Sequence, residues 1–219
     1  MRSVNLHTLS DDALTEHLAA WFTQTLPLAE QRRLLVAALR ELAGGQPVDP
    51  RRLAVRAGVG VEQTVDLLRQ AAAEWDPSGT RLVGFGLTST PTRHRFQVHG
   101  HPLWTWCAVD ALLFPVLIGA PAQTTSPCAA TGTPIRIQVT PTGVERVEPA
   151  GAVVSIVTPS VDLAEVRQAV CAAQNFYRDA AAAAAWQAEH PQALLMPVAK
   201  GFALFRRAAL RVWPELRAA

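Results

Sequence analysis

The sequence lacks most of the patterns by which a catalytic site is recognised in a single chain. It has no Cys-x-x-Cys, no His-Glu-x-x-His, no phosphate-binding glycine loop and no Gly-x-Ser-x-Gly, so the common zinc, nucleotide and serine-hydrolase chemistries have no anchor. Cysteine is scarce: three residues, widely spaced and odd in number, form no disulfide framework and fit free thiols in a reducing compartment. Charge of either sign is nearly balanced, and a formal net charge of +2 argues against nucleic acid or an anionic membrane as the main partner. The longest apolar run, from Ala111 to Ala122, is broken by Pro115 and Pro121 and is too short to span a bilayer. In MRSVNLHTLSDDALTEH, acidic residues stand where a secretory signal would be apolar; the expected location is cytoplasmic.

What is present is apolar material for a core. At 219 residues, 49% hydrophobic and 17% charged, the chain suits one large domain or two small ones. The texture divides at about residue 98. Upstream, "SDDALTEHLAAWF" predicts a helix capped by Ser10 or Asp11, with Leu14, Leu18 and Trp21 on one face. "LAEQRRLLVAALRELAGG" predicts a second, with Leu28, Leu35, Leu39 and Leu42 near one face and Gly44-Gly45 as its stop. "PVDPRRLAVRAGVGVEQTVDLLRQAAAE" has the spacing of a helix-turn-helix, and "WDPSGTRLVGFGLT" that of a hairpin. The expectation is an α+β protein with an N-terminal winged-helix-like helical domain, residues 1–98. A mixed domain with antiparallel β-sheet and flanking helices, residues 99–219, completes it. The second helix of the helix-turn-helix carries Glu62, Asp66 and Glu74 against Arg69, which does not suit a phosphate backbone, and no nucleic-acid partner is expected.

Downstream, the pattern predicts a helix from about Leu103 to Leu113, stopped near Pro115, then strands at Ile135–Val139, Val144–Val147 and Val153–Val157. Helices are expected after Ser160 or Asp162, through the alanine tract 180–185, and over "LLMPVAKGFALFRRAALRVWPELR".

The six histidines are scattered, and each reads as a surface or satisfied polar group. A zinc site from Cys107, Cys128, Cys171 and a histidine stays open, though no pair has the close spacing such sites favour. More informative is "HPLWTWCAVDALLFPVLIG", residues 101–119, where Cys107 and Asp110 stand three apart in apolar surroundings. On a helix such residues share a face. A carboxylate does not activate a thiol by charge, because like charges oppose each other. A desolvated Asp does hold a proton near neutral pH and can deliver it. A thiol, in turn, is a ligand for soft metals. The spacing leaves two readings, an inert buried cysteine or a site where a soft metal is captured while its organic partner is protonated.

"WCAVDALLFPVLIG", "CAATGTPIRIQVTP", "VEPAGAVVSIV" and "VRQAVCAAQNFY", in that order, resemble the core motifs of the alkylmercury (organomercurial) lyases of bacterial mercury resistance. The upstream "LLVAALRELAGGQPVDPRRLA" and "WDPSGTRLVGFGLT" resemble the N-terminal half of that family, so the resemblance covers roughly residues 30–178. It implies a winged-helix-like domain joined to a mixed domain. It also implies a catalytic set of Cys107, Asp110 and Cys171, which would hold mercury as substrate and product. Cys128 matches a cysteine given a structural role. Some relatives carry two adjacent cysteines where this chain has Cys171-Ala172, and some carry serine at the Asp110 position. Trp106 and Phe114 would line the pocket for the organic group.

The implied reaction is protonolysis of a carbon–mercury bond, with Cys107 taking the mercury first and Asp110 moving the proton. No cofactor is implied, since no redox change occurs. The partners implied are an organomercurial substrate, then cytosolic thiols and a mercuric reductase to take Hg(II) away. The readings from other classes are a mercury-responsive winged-helix DNA-binding regulator and a non-catalytic soft-metal-binding protein.

Overall fold

In the computed structural model, which describes residues 6–218, the first long helix starts where its caps predict. Ser10 accepts the Ala13 N–H at 3.2 Å, and Asp11 and Asp12 place negative charge at the N-terminus of α1 (Asp11–Thr25). Leu14, Leu18 and Phe22 turn inward. α2 (Ala29–Leu42) buries Leu34, Leu39 and Leu42. Leu28, expected on that face, is instead 48% exposed, because it precedes the helix and spends its N–H on Gln31 Oε1. Asp49 caps α3 (Pro50–Ala57), Gly58 closes it at φ 64°, and α4 (Val61–Gln70) comes next. The hairpin of β1 (Glu74–Trp75) and β2 (Leu82–Phe85) closes round Asp76, whose Oδ1 accepts the N–H groups of Thr80 and Arg81. A two-bond bridge from Val48 to Leu82 ties the stretch before α3 to this hairpin.

The hairpin is continuous with the C-terminal half of the chain. It forms one edge of an eight-stranded sheet with β3 (Leu87–Thr88), β4 (His94–Val98), β5 (His101–Thr105), β6 (Ala122–Pro127), β7 (Pro134–Val139) and β8 (Val144–Glu148). The strand order is β1-β2-β3-β5-β4-β6-β7-β8, antiparallel throughout. Position 98/99 is the turn between β4 and β5 in this sheet. A smaller sheet, β10-β9-β11, is built from β9 (Val153–Ile156), β10 (Phe176–Tyr177) and β11 (Leu194–Pro197). The architecture is α+β, with antiparallel sheet and helices. No helix among the described residues is long and apolar enough to cross a membrane.

Several expectations need correction. Leu103–Thr105 lies in β5, and the helix α5 (Ala108–Ile118) starts after it. A buried strand and a buried helix share one apolar texture, so periodicity does not separate them. Nor does Pro115 stop α5, which runs on to Gly119 at φ 84°; the proline removes one N–H but leaves its own carbonyl to accept from Gly119. After Asp162 comes a 3-10 turn, Leu163–Glu165, then only the short α6 (Val166–Ala169). The alanine tract forms turns before α7 (Ala184–Glu189), since the Asp179 carboxylate caps the Ala182 N–H and burial of Ala183 outweighs propensity. Finally, Leu194–Pro197 pairs with β9 as strand β11, and the last long helix is α8 (Val198–Val212).

α5 is the axle of the fold. It packs on α8, α2 and strands β4, β5 and β9, and every one of its residues but Asp110 is buried. A helix apolar all round has no solvent face. Leu112 and Leu117 are fully enclosed, each worth about 1.5–3 kcal/mol of burial. The one charge on this helix is therefore held where charge is costly.

Candidate active site

Cys107 is the residue before α5, in extended backbone, and its Sγ accepts the Asp110 N–H at 3.3 Å as the helix cap. That geometry fixes how Asp110, one turn on, faces the sulfur. Cys171 arrives from far along the chain, at the start of the 3-10 turn Cys171–Ala173 behind α6. The sulfurs of Cys107 and Cys171 and a carboxylate oxygen of Asp110 all lie within 4.8 Å of one another. Cys107 and Cys171 are 1% and 6% exposed. Asp110 Oδ2 is buried with no hydrogen-bond partner.

The electrostatics result from this enclosure. Burial pushes the Cys107 thiol well above its ordinary range, and the adjacent Cys171 thiol and Asp110 charge push the same way against the Asp110 N–H. Burial likewise pushes Asp110 up to about 7, against the polar contacts of the Cys107 thiol and the Cys107 and Trp106 backbone. The resting site is thus two soft ligands, one of them firmly protonated, beside a carboxyl group poised to hold or release a proton near neutral pH. Together they can bind a thiophilic metal and move a proton at the same point.

A cavity of about 100 Å³ adjoins the three groups. Trp106 and Phe114 line it, with Leu113 of α5 and Val166 and Val170 of the α6 segment. Trp106 is held firmly: its Nε1 donates to Glu74 Oε1 at 3.1 Å, and the Arg167 guanidinium lies 4.8 Å from its ring centroid. Arg167 pairs with the same Glu74 oxygen at 2.6 Å, so the α6 segment is fastened across the cavity to β1. Phe114 packs on Gly86, whose φ is 75° and whose added Cβ would stand 2.6 Å from Phe114 Cζ. Gly86→Ala is expected to lower stability by about 1–3 kcal/mol through overpacking and the positive φ, measured by urea unfolding. An unchanged midpoint would mean Phe114 yields freely.

Cys128 lies outside the cluster. It is 1% exposed at the end of β6, and its Sγ accepts the Arg178 N–H at 3.3 Å. Burial pushes its pKa up, but the Thr131 hydroxyl and the Arg178, Thr131 and Ala130 N–H groups pull it lower in sum. The zinc set of three cysteines and a histidine is therefore not assembled among the described residues. His94 is a satisfied core group, bonded to Ser126 at 3.0 Å and pushed by burial down to about 3.

The family profile described as MerB, alkylmercury lyase, matches residues 87–209, which include Cys107, Asp110 and Cys171. The alkylmercury lyase of Streptomyces lividans is 46% identical over 173 residues, 77% of this chain and 78% of that one. The chain belongs to the alkylmercury lyase family. It is also similar to the alkylmercury lyase of Pseudomonas putida, 40% identical over 78% of this chain and 80% of the relative. The crystal structure of the mercury-bound form of MerB2 shares the fold, with a TM-score of 0.71 at 22% identity, over 88% of this chain and 97% of that one. In this alkylmercury lyase, three residues beside the cluster escape sequence reasoning: Glu74, Arg167 and Gln174. Glu74 and Arg167 are 93 positions apart, and no spacing rule pairs them. Gln174 sits inside "VRQAVCAAQNFY", where its place three after Cys171 was the available clue.

Proposed function

We propose that this alkylmercury lyase cleaves carbon–mercury bonds by protonolysis, with Cys107 and Cys171 as mercury ligands and Asp110 as proton carrier. The observation that carries the reading is the mutual approach of the two sulfurs and the carboxylate within 4.8 Å, with a buried carboxylate oxygen left without a partner. Cys107 takes the mercury of R–Hg⁺ and gives up its thiol proton to Asp110. Cys171 adds as second sulfur ligand, its own thiol proton passing to solvent, and the second Hg–S bond increases electron density on carbon. Asp110 returns the proton to carbon as the carbon–mercury bond breaks; its electron pair becomes the new C–H bond. The sum at the site is R–Hg⁺ plus two thiols giving R–H, Hg(II) held by two thiolates, and one H⁺. Mercury stays divalent throughout, so the reaction calls for no redox cofactor.

The surroundings support this assignment. Trp106 and Phe114 offer the organic group an apolar wall, and exclusion of water keeps Asp110 able to hold its proton. Hg(II) left on two thiolates needs competing thiols for release; cytosolic thiols and a mercuric reductase are the partners of that step, in a cytoplasmic setting. Residues 1–98 serve in this reading as a winged-helix-like scaffold, supported by the α3–α4 turn and the β1–β2 hairpin, and residues 99–219 supply all three reactive groups. Cys128 has a structural part, holding the end of β6 to the start of the 178 turn.

Phenylmercury or methylmercury with excess thiol is expected to yield benzene or methane in the headspace above the protein-free control. Binding of Hg(II) with no hydrocarbon would reduce the protein to a metal carrier and sink the lyase reading. A Cys128→Ser variant that lost more turnover than any change at the three site residues would overturn the assignment of roles.

A further inference from the structure

Gln174 belongs to no reactive set, yet it touches every element that carries one. It is 3% exposed, and its four polar groups are all engaged. Its N–H donates to Cys171 O at 3.3 Å, closing the turn that carries the second sulfur. Its carbonyl accepts the Ala108 N–H at 3.1 Å, at the first position of α5. Its side-chain Nε2 donates to Val157 O at 3.0 Å, beyond the end of β9. Its Oε1 accepts from Cys107 Sγ at 3.3 Å. The flanking residues are pinned to β9 as well: the Ser155 hydroxyl donates to Ala173 O at 2.8 Å and accepts the Asn175 N–H at 2.8 Å.

This arrangement settles which end of the amide faces the thiol. Val157 O is an acceptor only, so it takes the NH2 end, and the amide oxygen is left to Cys107. The Cys107 side chain finds an acceptor for its S–H in Gln174 Oε1 and a backbone donor, the Asp110 N–H, for its lone pair, with the Asp110 carboxyl and the Cys171 sulfur in polar contact beside them. The Gln174 Oε1 and Asp110 N–H contacts together hold the Cys107 side chain in its observed rotamer. In that rotamer the sulfur stands within 4.8 Å of both the Cys171 sulfur and the Asp110 oxygen.

We propose that Gln174 is the positioning residue that aims Cys107 at Cys171, so that one mercury atom meets both sulfurs. Gln174 also lines the cavity beside Cys107 and Cys171, but its amide bonds to Val157 O and Cys107 Sγ and not to the proton carrier. Its effect passes through the direction of the Cys107 side chain and the distance between the two cysteine-bearing segments. The inference rests on the lyase reading for its kinetic consequence, but its structural content is two-sulfur capture of Hg(II), which is measured without turnover.

The test compares the full-length protein with Gln174→Met, which keeps the length and loses both polar ends, and Gln174→Glu. In its protonated form the Glu carboxyl offers one donor and one acceptor as the amide does, so this variant is read across about pH 4.5 to 7. Mercuric chloride is titrated alone, and the mercury–thiolate charge-transfer absorbance is read per bound metal. Phenylmercury turnover is measured in parallel. For Gln174→Met, kcat is expected to fall about ten- to a hundredfold while KM stays within about twofold, the pattern of misplaced reacting groups with unchanged ground-state binding. The absorbance per mercury should drop toward the one-thiolate value seen with Cys171→Ser. Gln174→Glu should restore the larger part of both signals.

A folded Gln174→Met with parental absorbance overturns the proposal, as does a loss of kcat/KM carried entirely by KM. If Gln174→Met does not fold, Gln174→Glu decides: two-thiolate absorbance supports the role, and one-thiolate absorbance removes it. If the parent protein releases no hydrocarbon, the lyase reading fails, and the absorbance comparison still tests Gln174.

Discussion

Asp110→Asn is expected to bind Hg(II) as the parent does, to release hydrocarbon about 10²- to 10⁴-fold more slowly, the usual worth of a positioned acid–base group, and to be the more stable protein above neutral pH. The two effects share one cause. Burial holds Asp110 at about 7, against an ordinary carboxylate value of about 4. A raised folded-state pKa means that the folded protein prefers the neutral carboxyl. Its contribution is fully present below about pH 4 and is lost as pH rises through about 7. The parent should lose stability across that window, by up to about 4 kcal/mol, whereas an amide has nothing to ionise. Part of this gain is offset because Oδ2 has no partner in the parent and an amide there leaves a polar end unpaired as well. Urea midpoints at pH 5 and pH 8 read the prediction. The variant and the parent should converge at the lower pH and separate at the higher. A parent whose midpoint does not fall between them would show that Asp110 titrates normally and cannot be carrying a proton at neutral pH.

The same residue shows how much was legible in the sequence. An acid three residues after a cysteine, inside an otherwise apolar segment, was visible from spacing. Its cost was not, because that depends on α8 and α2 closing over α5. Cys171 lies 64 positions beyond Cys107, and only the resemblance of "VRQAVCAAQ" to a known family joined them. No periodicity reaches across α5, three strands of the large sheet, one strand of the small sheet and α6. Gln174 was missed for a related reason. A buried amide has no pKa shift and no metal-ligand pattern, and its part emerges only when Val157, Ala108 and Cys107 arrive round it.

For the fold, alternation was readable where one strand face is buried and the other solvated. β4 shows this in strict form, with His94, Phe96 and Val98 inward and Arg95 and Gln97 outward. It failed for β5, which runs into a helix buried at every residue but Asp110, with no charged residue between to mark the change. It could not say that β9 leaves the large sheet, because all four of its residues are buried and both faces look alike. The helix propensity of the alanine tract misled for the opposite reason. Propensity is a local preference of tenths of a kcal/mol per residue, and one good cap from Asp179 together with the burial of Ala183 redirects the chain. The errors collect where burial is complete or where local preference meets a tertiary contact. The functional cluster is in the first of these places.

Cys171→Ser is expected to separate capture from cleavage. The variant should still take phenylmercury onto Cys107, giving a stable adduct of one organomercury group per chain by native mass spectrometry, and then stall. Carbon bound to divalent mercury carries little negative charge, so a proton reaches it only after further ligands have donated electron density to the metal. A serine hydroxyl is a hard, weakly donating ligand and does not replace a thiolate on a soft ion. Loss of a few kcal/mol of transition-state stabilisation corresponds to a turnover fall of at least about a hundredfold. Cys107→Ser should behave differently. Serine is a good helix cap and would keep the bond to the Asp110 N–H that Cys107 Sγ now makes, so the fold survives. The residue that takes the metal first is gone, and both adduct and hydrocarbon should fail together. The contrast depends on the geometry: Cys107 is fixed at the head of α5, whereas Cys171 approaches from the α6 segment that Arg167 fastens over Trp106. A Cys171→Ser protein with turnover within about threefold of the parent would show that one sulfur suffices, and the second thiolate would lose its part in the reaction.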